Sequence, residues 1–117
     1  MPLTEPADLA RRIVDVLADR QGEEIVLLDI RRVASFADYF VIATAMNSRH
    51  MRALVDVLSK EVPRFGNRSR RGEGEEDSGW VLIDYDDVIV HLFSPEERDH
   101  YALEELWSTA TPVVRIQ

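Results

Sequence analysis

Residues 79–93, GWVLIDYDDVIVHLF, constrain the fold more tightly than any other stretch. Two runs rich in Val, Ile and aromatics flank Asp86-Asp87, the signature of a β-hairpin. With those aspartates as the two central turn residues, Tyr85 pairs with Val88, Ile83 with Val90 and Val81 with Leu92. Side chains alternate between the faces of a strand. One face is then Val81, Ile83, Tyr85, Val88, Val90 and Leu92, apolar apart from one hydroxyl and expected to pack on helices. The other is Trp80, Leu82, Asp84, Ile89, His91 and Phe93. A buried core rarely chooses that mixture of aromatics, acid and imidazole, whereas a protein interface does. The competing reading is that Trp80 and Phe93 cover the open side of the sheet beneath a tail or loop. A two-residue turn requires positive φ, here from Asp86 and Asp87, and aspartate tolerates it better than most residues.

Asp84 and Asp86 also form a D-x-D pair. A metal-dependent nucleotidyltransferase would need such a pair, a third acid and a Gly-Ser turn to cradle phosphate. Ser48 stands at a helix start, but Met46-Asn47 precede it rather than glycine, and the pair lies far downstream of it. A solvated turn explains the aspartates more simply. His50, His91 and His100 lack metal-ligand spacing. Gly72-Glu73-Gly74 signals a loop and not a nucleotide motif. No cofactor or metal is therefore expected.

Around the hairpin the chain alternates helices and strands. Thr4, then Glu5-Pro6-Ala7, marks a helix start, and Leu9, Ile13, Val16 and Leu17 give it one apolar face. Gly22 is expected at its C′ position. Residues 24–30 and 38–45 read as strands. Asn47 and Ser48 are alternative caps for a helix whose Met51, Leu54, Val55, Leu58 and Val62 repeat at helical spacing. Residues 67–79 lack apolar side chains and read as a charged loop with at most one polar edge strand. Arg64, Arg68, Arg70 and Arg71 are balanced there by neighbouring acids, a solvated loop before an RNA contact. Arg49, His50 and Arg52 oppose the helix dipole; they are tolerated surface residues or a small site for an acidic group. Ser94-Pro95-Glu96-Glu97 matches a capping box. The following helix carries Tyr101, Leu103, Leu106 and Trp107, and the tail TPVVRIQ adds an extended segment. The expected fold is α/β: a mixed sheet of about five strands with helices packed mainly on one face.

The length of 117 residues fits one domain over 1–117. The formal net charge of −8 and pI near 4.8 disfavour sequence-specific nucleic-acid binding and favour a basic protein partner. No cysteine is present, which fits a reducing compartment. Apolar runs fall short of a membrane span, and the start has no basic-then-apolar signal pattern. A cytoplasmic location is expected.

SFADYFVIATAMNSRHMRAL (35–54) and GWVLIDYDDVIVHLFSPEERDHYALEELW (79–107) resemble the ribosomal silencing factor family, also called RsfS or Iojap. The matching blocks include Ala37 to Ile42, Ser48-x-His50, Glu73-Gly74, Trp80 to Tyr85, Asp87-Val88-x-Val90-His91-x-Phe93, Arg98, Tyr101 and Leu103-Glu104-x-Leu106-Trp107. This chain has Ala45 and Asp86 where the family usually has glycine. The resemblance implies a nucleotidyltransferase-like fold without the catalytic set, and no enzymatic activity. It implies a factor that binds the large ribosomal subunit through the fourteenth large-subunit ribosomal protein, at the face that meets the small subunit. Such a factor blocks subunit joining and represses translation when nutrients are scarce, and isolated members are often homodimers. Trp80, Leu82, Asp84, Tyr85 and Asp87 carry over as the expected contact residues. Two other readings stay open on the residues alone: a metal-dependent nucleotidyltransferase using Asp84 and Asp86, and an acidic adaptor for another basic protein.

Overall fold

A computed structural model describes residues 5–62, 79–101 and 111–116. In chain order the elements are α1 (Pro6–Asp19), β1 (Glu23–Asp29), β2 (Tyr39–Thr44), α2 (Ser48–Glu61), β3 (Trp80–Asp84), β4 (Val88–Phe93), α3 (Pro95–Tyr101) and β5 (Thr111–Ile116). The strands form one sheet in the order β3-β4-β2-β1-β5. β2 and β4 run parallel, and the other three neighbouring pairs are antiparallel. The expected mixed α/β sheet of five strands is present. The tail supplies the fifth strand, whereas the polar edge strand expected within 67–79 falls outside the described residues. So do Arg64, Arg68, Arg70 and Arg71, Glu73-Gly74, and Leu103, Leu106 and Trp107.

The main core lies between α1, α2 and one face of the sheet. Ile13, Val16 and Leu17 of α1 and Met51, Leu54 and Leu58 of α2 meet Ile25, Leu27, Val41, Val81, Val90 and Leu92. These are the apolar positions that the helical and alternating periods select. Pro112 sits in the edge strand β5, where a missing N–H breaks no ladder between two neighbours.

Two helix ends differ from expectation. The N-cap of α1 is Glu5, without a side-chain cap bond, and not Thr4. At the other end Gln21, not Gly22, takes the left-handed conformation, with φ of 66°. The N–H of Gln21 donates to the Ala18 carbonyl at 3.0 Å and that of Gly22 to the Leu17 carbonyl at 2.8 Å. This is a Schellman ending in which glycine takes C″. Gly22 is suited there by space, since a Cβ would lie 3.1 Å from the Leu17 carbonyl oxygen.

Of the two cap candidates for α2, Asn47 is used: its side chain accepts the N–H of His50 at 2.8 Å. The His50 ring then accepts the Met46 N–H through Nδ1 at 2.9 Å and reaches the Arg20 carbonyl through Nε2 at 3.0 Å. The imidazole is thereby engaged in pinning the start of α2 to the end of α1. Arg49 and Arg52 beside it are exposed surface residues. Ser94 caps α3 by accepting the Glu97 N–H at 3.2 Å, while its own N–H goes to the Gly79 carbonyl at 2.8 Å.

Candidate functional site

The hairpin forms in the expected register, with Val81 opposite Leu92, Ile83 opposite Val90 and Asp84 opposite Ile89. Its tip is tighter than a two-residue turn with two left-handed residues. Only Asp86 has positive φ, at 77°, and Asp87 does not. The Asp87 N–H donates to the Tyr85 carbonyl at 3.0 Å, so Asp86 is the centre of a γ-turn. The Tyr85 N–H closes the hairpin onto the Val88 carbonyl at 2.9 Å. Asp84 accepts the Asp86 N–H through Oδ1 at 2.7 Å, an Asx-type bond that holds the turn. The Asp87 carbonyl accepts from both Asp38 and Tyr39, at 2.8 and 3.1 Å, and anchors the tip to the start of β2.

The D-x-D pair is thus not a pair on one strand. Asp84 ends β3 and spends an oxygen on the backbone of the turn, while Asp86 is exposed beyond it. Among the described residues no group of three or more His, Asp or Glu stands close enough to hold a metal ion.

The five expected contact residues do not share one face. Trp80, Leu82 and Asp84 are half-buried on the side of the sheet away from α1 and α2, and Asp87 is exposed at the tip. Tyr85 faces the other way. It is buried in the main core, and its hydroxyl donates to the Val62 carbonyl at 2.8 Å. This is the side on which strand alternation places Tyr85, apart from Trp80, Leu82 and Asp84.

The second face is not uniformly open. Val26, Leu28, Ile30, Ala37, Phe40, Ile42 and Phe93 form a smaller core there, with Val33 and Ala34 of the β1–β2 connector, Trp80 and Ile89 packed against it. Phe93 has no exposed surface and His91 only 5%. The competing reading of a covered aromatic face therefore describes this half of the surface, and the β1–β2 connector supplies part of the cover. Trp80 lies nearly parallel to Phe93, ring centroids 5.6 Å apart, and Phe40 meets His91 edge-on at 4.7 Å. At the far end Arg98 of α3, itself buried, donates to Thr44 Oγ1 at 2.8 Å. That long-range bond has no local sequence signal.

His91 is the polar centre of this face. The indole N–H of Trp80 donates to its Nδ1 at 3.3 Å. An indole nitrogen only donates, so Nδ1 accepts and the neutral ring carries its proton on Nε2. Nε2 is buried and, among the described residues, has no hydrogen-bond partner. Burial pushes the imidazole down to about 4, so the ring is neutral at pH 7. Among the described residues no helix is long and apolar enough to cross a membrane.

Comparison with known proteins finds relatives over most of the chain. A sequence model described as "Ribosomal silencing factor during starvation" matches residues 3–117. The ribosomal silencing factor of Halalkalibacterium halodurans is 34% identical over 110 residues, 94% of this chain and 93% of that protein. Mouse "Mitochondrial assembly of ribosomal large subunit protein 1" is 30% identical over 82% of this chain and 43% of its own length. Among solved structures, a Chromobacterium violaceum protein superposes with a TM-score of 0.77 at 30% identity, covering 90% of this chain and 88% of that one. Relatives of this kind are regulatory proteins rather than enzymes by their names. The chain belongs to the ribosomal silencing factor family.

Proposed function

We propose that this chain binds the large ribosomal subunit through the hairpin, blocks joining of the small subunit and so represses translation, above all when nutrients are limiting. The observation that carries this reading is half-buried Trp80, Leu82 and Asp84 on the side of the sheet away from α1 and α2, with exposed Asp87 at the hairpin tip. An aromatic anchor, an aliphatic neighbour and two acids suit a basic ribosomal protein, and the net charge of −8 would speed encounter with it. The name of the mouse relative points to the same subunit. Mechanism is competition: the factor occupies a surface of the large subunit that the small subunit also needs.

In this reading Trp80, Leu82, Asp84 and Asp87 make the contact, and Tyr85 holds the hairpin from behind. The chain works as one domain over 1–117, in the cytoplasm, without a cofactor, and pairs with a second copy when free of ribosomes. Gradient sedimentation of purified subunits tests it. Added protein is expected to co-migrate with large subunits and to reduce joined ribosomes. Trp80→Ala and Asp87→Lys should each abolish both effects without altering the circular dichroism spectrum. Wild-type behaviour by both variants would remove the hairpin from the contact. Capture of a basic protein other than a ribosomal one would favour the adaptor reading.

A further inference from the structure

We infer that His91 is a positioning residue for Trp80: its Nδ1 holds the indole in the orientation that the docking face presents. This rests on the large-subunit reading above, in which Trp80 is the aromatic anchor.

Two observations lead there. The first is the bond itself. Trp80 lies directly opposite Phe93, and His91 is diagonal to it on the neighbouring strand. The indole and imidazole planes are within 25° of each other, and the Trp80 Nε1 to His91 Nδ1 distance is 3.3 Å. The imidazole plane lies 7° from that of Phe93, which is in turn parallel to the indole within 19°. Stacking on Phe93 sets the tilt of the indole, and the bond to Nδ1 sets its rotation in that plane.

The second is the orphaned Nε2. A buried N–H without an acceptor opposes folding. Phe40, Ile42 and Phe93 surround this position, and an apolar ring of similar size would avoid the burden. A histidine here is therefore poorly chosen for packing alone. What it adds over phenylalanine is one in-plane acceptor, and Trp80 uses it. Among the described residues Nε2 is buried and unpartnered, so His91 acts through the indole. A pre-oriented anchor loses less side-chain freedom on docking.

Binding and NMR measurements on the full chain test this. In wild type, ¹⁵N shifts are expected to report an Nε2-protonated neutral His91, and the Trp80 indole N–H to exchange slowly; a Trp107→Phe background assigns the signal. His91→Phe keeps an aromatic ring for stacking but removes the acceptor. It is expected to keep or raise the melting temperature, expose the indole N–H to exchange, and weaken large-subunit binding about two- to tenfold. His91→Gln, which restores an acceptor, should recover part of the binding. An Nδ1-protonated ring, or full-strength binding by His91→Phe alongside loss of binding in Trp80→Ala, overturns the positioning role alone. Full-strength binding by Trp80→Ala instead overturns the docking reading, while the exchange measurement still decides whether His91 holds the indole.

Discussion

The hydroxyl of Tyr85 donates a 2.8 Å hydrogen bond to the carbonyl of Val62, joining the end of β3 to the C-cap of α2. Both groups are buried, so the bond ties the hairpin to the helix layer where water cannot substitute. Tyr85→Phe is expected to destabilise the fold by about 1–2 kcal/mol. Urea unfolding should show a lower midpoint with an unchanged slope. Large-subunit binding should persist wherever the variant is folded, because Tyr85 points away from the proposed docking face.

Stability should fall with acid through His91. The folded-state value near 4 lies below the ordinary 6.5. As pH drops below 6.5 the unfolded chain takes up a proton that the buried ring still refuses. The stability present above pH 6.5 is therefore lost progressively down to pH 4, by roughly 3 kcal/mol from this group. Denaturation midpoints measured between those limits should be flatter in His91→Phe than in wild type; parallel curves would count against a buried neutral imidazole.

Asp86 carries φ of 77° at the centre of the γ-turn. Glycine adopts that conformation without the Cβ clash. Asp86→Gly is expected to raise stability by about 1 kcal/mol and to leave large-subunit binding intact, since the proposed contact draws its acids from Asp84 and Asp87. Loss of binding in this variant would bring Asp86 into the contact.

Gln21 holds a left-handed conformation at the end of α1 and bears the same steric cost of a Cβ. Gln21→Gly should stabilise by about 1 kcal/mol, seen as a higher thermal midpoint. An unchanged or lower midpoint would mean that the glutamine side chain or the greater freedom of the unfolded glycine offsets the relief.

Gly79 opens the hairpin at φ of 87°, where an added Cβ would stand 2.7 Å from Glu97 Cγ and 2.8 Å from Ser94 Oγ. Its carbonyl also receives the Ser94 N–H. Gly79→Ala is therefore expected to destabilise by about 2 kcal/mol and to loosen the start of α3. Hydrogen exchange at Ser94 and Glu97 should accelerate, and unaltered rates there would contradict the close approach.

Much of this was readable along the chain. Val81, Ile83, Val88, Val90 and Leu92 alternate, so a period of two assigned the helix-facing side of the hairpin and its register. Met51, Leu54, Val55 and Leu58 repeat at helical spacing, so they found the core-facing stripe of α2. These patterns are legible because local backbone geometry dictates which neighbours share a face. Local signals misplace the left-handed residue of α1 by one position: glycine's freedom of φ points to Gly22, whereas the structure uses its small size.

The other side of the sheet was decided in three dimensions. Alternation put Trp80, Leu82, Asp84, His91 and Phe93 together but was silent on what would cover them. Burial depends on residues distant in the chain: Val33 and Ala34 arrive from the β1–β2 connector, and Phe40 arrives through the parallel β2–β4 pairing. Arg98 reaches Thr44 across 54 positions of sequence. Those contacts bury His91 and Phe93 and leave Trp80, Leu82 and Asp84 half-buried. The residues prescribed a hairpin and its two faces through backbone periodicity; tertiary packing alone divided the outer face into a small core and a half-buried surface.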